Sequence, residues 1–122
     1  MKRLTPKEEE IMHILWHLKK GFVRDILALL PDPKPSYNTV STIVRILENK
    51  RFVGHLAFGN THEYYPLIDK QSYTRYYMKS ILRDYFENSY QQLVSFFAGE
   101  DDFDPAELEK LLQEIRGRKK NG

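Results

Sequence analysis

Asn38, Ser41, Thr42, Arg45 and Asn49 recur at steps of three and four, which gathers them on one face of a helix. A solvated helix face usually carries Glu and Lys, which are good helix formers. This one carries short hydrogen-bonding groups and a single guanidinium. Such groups suit close contact with another polar surface. Arg pairs with guanine edges, Asn with adenine, and Ser or Thr with either, when a helix lies in a DNA major groove. Ser36 and Tyr37 stand at the helix start, where unpaired amides suit a phosphate oxygen. Lys50 and Arg51 stand at its end, placed to meet a phosphate backbone. The competing reading is a core helix with an ordinary polar outer face.

The elements that must position these residues follow from periodicity and punctuation. Thr5, Pro6 and Glu8 form a capping box with proline at the first helical position. Ile11, Ile14, Leu15 and Leu18 then fall on one face, and Gly21 is the expected stop. Residues Phe22 to Leu30 form a second short helix, ended by the stiff connector Pro31-Asp-Pro-Lys-Pro35. Val40, Ile43, Val44 and Leu47 give the third helix its core-facing stripe. The period then changes. FVGHLAF and THEYYPL flank Gly59-Asn60, which predicts a two-residue hairpin with Phe58 opposite Thr61. Its polar tip carries Asn60, Thr61 and His62, with His62 placed for a wing phosphate contact or a plain surface role. Three short helices and a hairpin are the order of a winged helix-turn-helix.

From Asp69 to Phe97 there is neither Pro nor Gly, which predicts one helix roughly 43 Å long at 1.5 Å per residue. Tyr73, Tyr77, Ile81, Tyr85, Phe86, Tyr90, Leu93 and Phe97 form an aromatic stripe along it. A winged helix of about 65 residues cannot cover such a stripe, so a two-fold partner is expected to. Glu100-Asp101-Asp102 reads as a solvated linker, and Asp104-Pro105 restarts a helix with Leu108, Leu111, Leu112 and Ile115 on its apolar side. The expected fold class is therefore mainly α with a small β-hairpin wing. Residues 1–68 form a winged-helix DNA-binding domain and 69–122 a helical dimerisation region.

Composition narrows the function classes. Of 122 residues, 41% are hydrophobic, enough for a packed core. There are no cysteines, which removes disulfides and thiolate metal sites and fits a cytoplasmic protein. No apolar run is long enough to span a membrane, and the charged start has no signal-like core. Residues 1–68 hold ten Lys/Arg against seven Asp/Glu, a modest pull on an anionic partner. His13 and His17 have a two-ligand spacing but lie opposite the apolar stripe, as surface histidines do. No nucleotide loop or Ser/His/Asp arrangement occurs, so neither an enzyme nor a cofactor or metal is expected.

LTPKEEEIMHILW, NTVSTIVRILENKRFV, THEYYPL and QLVSFFAGEDDFDPAELEKL together resemble the BlaI/MecI-type penicillinase repressor family, relatives of the copper-responsive repressors. The resemblance covers nearly the whole chain. It implies a homodimer on double-stranded operator DNA, with contacts on Asn38, Thr39, Ser41 and Thr42. It also implies release by proteolysis at a bond resembling Phe96–Phe97, with a membrane-bound sensor metalloprotease as the agent. The chain departs from the family pattern in three places. The recognition-helix basic residue is Arg45, one position before Ile46, the Lys-Gly pair is Lys50-Arg51, and the usual Asn at the cleaved bond is missing. The cysteine-rich copper site is absent. The expected function is a homodimeric repressor on a pseudo-palindromic operator. The alternative is a winged-helix protein-interaction adaptor that does not bind DNA.

Overall fold

Thr5 opens the chain's first helix as its spacing predicts. In a computed structural model, which describes residues 1–99 and 104–121, the first helix α1 spans Pro6–Leu18. The side chains of Leu108, Leu112, Ile115, Arg116 and residues 118–121 lie outside that description, as do residues 100–103 and 122. The Thr5 hydroxyl accepts the Glu8 amide at 3.2 Å, and the Glu8 carboxylate accepts the Thr5 amide at 2.8 Å. Helix α2 follows at Val23–Leu29. Its last carbonyls would be orphaned at the proline connector, and the Lys34 ammonium donates to those of Leu27, Ala28 and Leu30.

Helix α3 spans Tyr37–Asn49, with Ser36 as its N-cap. It ends in a Schellman motif, in which Arg51 N–H donates to the Glu48 carbonyl and Phe52 N–H to that of Leu47. Arg51 therefore sits in the left-handed region at φ 65°, where an L side chain costs about 1 kcal/mol relative to glycine. Phe52 and Leu47 are both buried beside the motif. Strands β1 (Val53–Phe58) and β2 (Thr61–Pro66) pair antiparallel with Phe58 opposite Thr61, the predicted register. Gly59 takes φ +60° in the two-residue turn. Gly21 is more than a helix stop, because it exchanges two backbone hydrogen bonds with Tyr64 of β2 and anchors the hairpin beside α2.

The core gathers Ile11, Met12 and Leu15 of α1, Ile26 of α2, Val40, Val44 and Leu47 of α3, and Phe52 and Val53. Among the described residues no fully buried side-chain nitrogen or oxygen lacks a hydrogen-bond partner.

The predicted single long helix is two. Helix α4 spans Lys70–Phe86 and α5 Tyr90–Ala98. Between them Glu87 and Asn88 take φ 51° and 62°, which no helix continues through. Ser89 then caps α5 by accepting the Gln92 amide at 3.1 Å. At about 1.5 Å per residue α4 reaches roughly 26 Å, so the continuous 43 Å stripe does not exist. Tyr73, expected to face a partner, is instead 4% exposed in the core of the winged unit. Helix α6 spans Pro105–Asn121, with Asp104 accepting the Ala106 amide as the restart predicts. The chain forms two compact units, Met1–Met78 and Lys79–Gly122. None of the described helices is long and apolar enough to cross a membrane.

Candidate nucleic-acid interface

Val40, Val44 and Leu47 turn one side of α3 into the core and leave the opposite side to solvent. On that side the polar groups are preorganised along the helix. Ser36 and Thr39 are tied to each other, hydroxyl to hydroxyl at 2.8 Å, while the Ser36 oxygen also accepts the Thr39 amide. The Thr42 hydroxyl donates to the Asn38 carbonyl at 2.9 Å, which leaves its lone pairs pointing outward. Arg45 lies back along the helix, with Nη2 3.3 Å from the Ser41 hydroxyl and Nε 3.4 Å from the Ser41 carbonyl. Both contacts are long and exposed, so an external acceptor could replace them at little cost. The Asn38 amide makes no side-chain hydrogen bond among the described residues.

A cleft of about 430 Å³ runs between α3, the start of α2 and the hairpin. Six expected site residues border it: Tyr37, Ser41 and Arg45 from α3, and Asn60, Thr61 and His62 from the turn and β2. Segments some twenty residues apart in sequence thus meet on one surface. Phe22, Val23, Arg24 and Tyr64 complete the lining, and none of the lining residues is acidic. Burial, then the nearby Glu48 charge, push the Tyr64 hydroxyl above its ordinary pKa, which keeps it protonated. The Thr61 hydroxyl closes the turn onto the Phe58 carbonyl at 2.8 Å. The His62 ring stacks on His55 with centroids 4.0 Å apart, and His55 Nδ1 is hydrogen-bonded to Glu48.

The remaining expected residues lie elsewhere. Ser36, Asn38, Thr42 and Arg51 are exposed outside the cleft, and Thr39 borders a separate one against α1 and the proline connector. Lys50 departs furthest from expectation. Its ammonium is held by both oxygens of the nearly buried Glu8 carboxylate, at 2.9 and 2.8 Å, so it is not a free group waiting for a phosphate. Sequence reasoning missed Phe22 and Arg24. The available signal was positional, since the first helix of a helix-turn-helix crosses the nucleic-acid backbone.

The Glu8–Lys50 pair has a pH signature. Burial opposes the Glu8 charge, but bonds from Lys50 and Thr5 outweigh it and hold the carboxyl below its ordinary pKa of 4.5. A depressed carboxyl contributes stability above its unfolded pKa and loses it as pH falls through the folded value. Glu8→Gln should therefore be less stable than the parent by about 2 kcal/mol at neutral pH. In denaturant titrations that gap should close below about pH 4. A gap constant across pH would mean that the Glu8 charge plays no part.

Helix α3 with its polar outer side, the preceding α2 and the adjoining hairpin define a winged helix-turn-helix protein. The family model described as penicillinase repressor matches residues 4–117. The chain belongs to that family of transcriptional repressors. It is also similar to a solved structure of the CopR repressor, at 26% identity and a TM-score of 0.46, over 56% of this chain and 100% of that one. No curated protein matches it.

Proposed function

We propose that the chain is a homodimeric repressor that grips double-stranded operator DNA, with α3 in the major groove and the hairpin as a wing beside it. The observation that carries this reading is the cleft shared by α3 and the hairpin, which has two guanidinium groups and no carboxylate in its lining. Such a surface favours an anionic partner. Arg45 lines it, and the exposed Asn38 and Thr42 lie outside it on the same helix, all three with side chains that suit base edges. Residues 1–68 carry the reading work and 69–122 the assembly, with Tyr73 as a core residue of the reading part. A two-fold dimer calls for a pseudo-palindromic operator.

Release follows from cutting the chain in its C-terminal part, in the cytoplasm, by a membrane-bound sensor metalloprotease of the kind the family resemblance implies. Phe96 and Phe97 are both exposed, but their bond lies inside α5, two residues before Gly99 at the nearer of the two. A protease needs extended backbone, so the last turn of α5 must unwind first.

Electrophoretic retardation of the duplex upstream of the chain's own gene tests the reading. A repressor gives a shift that weakens steeply as salt rises, because bound phosphates release counterions. No shift at low salt would favour the adaptor reading, for which Leu56 and Phe58 offer exposed apolar surface on the wing.

A further inference from the structure

We infer that Arg24 is a phosphate-backbone contact, held ready by stacking on Phe22, and that it does the work the sequence assigns to Lys50. The inference rests on the DNA-binding reading above. Arg24 lies in the first turn of α2, is exposed, and borders the same cleft as Arg45 and His62. Its guanidinium carbon lies 5.4 Å from the Phe22 ring centroid. Phe22 in turn meets Phe58 of the wing edge-on at 5.9 Å. The ring is thus fixed between α2 and the hairpin, and the cation stands on a platform joining both walls of the cleft. A guanidinium stacked in this way has less freedom to lose when it binds.

Its charge is also available. The neighbouring Asp25 carboxylate is engaged with the Phe22 amide at 2.9 Å. Arg24 forms no ion pair among the described residues, whereas Lys50 is bonded to Glu8. Arg45 rests on the Ser41 side of α3. That leaves Arg24 as the cation on the α2 wall, where a planar fork can take two oxygens of one phosphate. Phe22 is then a positioning residue.

The test is fluorescence anisotropy of the full chain on a random-sequence duplex of about 30 base pairs, roughly three helical turns, and on the upstream duplex. Affinity is measured against salt for the parent, Arg24→Ala and Arg24→Lys. Arg24→Ala should weaken binding by the same factor on both duplexes and make the slope of log K against log salt shallower by about one. Arg24→Lys should keep the slope but bind more weakly, since an ammonium lacks the fork. Unchanged affinity and slope in Arg24→Ala would overturn the inference. So would a loss confined to the upstream duplex, which would make Arg24 a base reader. A parent that binds neither duplex would overturn the DNA-binding reading, and the role of Arg24 with it.

Discussion

Tyr85→Asp and Tyr90→Asp should each convert the proposed dimer to a monomer and lower affinity for a two-half-site duplex by about 10² to 10⁴. The fold of either unit should stay intact. Tyr85 near the end of α4 is 71% exposed, and Tyr90 at the start of α5 is 68% exposed. Phe96 and Phe97 are exposed as well, each in ring contact with an aromatic neighbour. Soluble monomers seldom leave so many large aromatic side chains open in so short a segment. In the proposed dimer a second copy of the chain would cover them at no cost in new sequence, through a self-complementary contact. Placing a carboxylate there forces an unpaired charge into an apolar seam. Linking two half-site contacts raises effective concentration, and losing the link removes that gain without disturbing any base contact. Sedimentation equilibrium at micromolar concentration gives the answer. If both variants remain dimers, the seam lies elsewhere.

Tyr73→Ala should destabilise the winged unit by about 3–5 kcal/mol, the range for deleting a large buried aromatic. The ring is buried between Trp16 and Phe52, with centroids at 5.9 and 5.8 Å. Its hydroxyl accepts the Leu4 amide at 3.0 Å and donates to Glu9 at 3.2 Å. Deletion therefore opens a cavity and also strips a buried amide of its partner. Against a typical domain stability of about 5–15 kcal/mol that loss approaches unfolding. Tyr73→Phe isolates the hydroxyl and should cost about 1–2 kcal/mol. Denaturant unfolding measures both. A cost below about 1 kcal/mol for the alanine variant would mean that the start of α4 is not part of this core. A truncation meant to yield a free winged helix must accordingly fall after Met78, where the first compact unit ends.

The hairpin, its register, the α1 capping box and the polar side of α3 were all legible in the sequence. Each is written in neighbouring residues: Gly59-Asn60 at a turn, Thr5 with Glu8, and a stripe at helical spacing. The break between α4 and α5 was written locally too, but in a weaker script. Neither Gly nor Pro marks it. The signal was Asn88, which tolerates a left-handed backbone, followed by Ser89 as a cap. A long run without Gly or Pro on both sides masks such a pair.

What the sequence withheld depends on pairs far apart along the chain. Glu8 and Lys50 are 42 residues apart, and Leu4 and Tyr73 are 69. A basic residue after a recognition helix looks the same whether a phosphate or a buried carboxylate awaits it. Arg24 was passed over for the same reason, because only folding brings it to the cleft that Arg45 also lines. Part of the expected dimer surface, at Leu108, Leu112 and Ile115, lies outside the described side chains.

The most direct measurement is the affinity of Arg45→Ala and Asn38→Ala for the upstream duplex and for random-sequence duplex under one salt condition. If the polar side of α3 reads bases, each substitution costs about 1–3 kcal/mol on the upstream duplex and far less on random DNA. Equal losses on both duplexes would contradict base reading by α3 and leave that helix holding only the backbone.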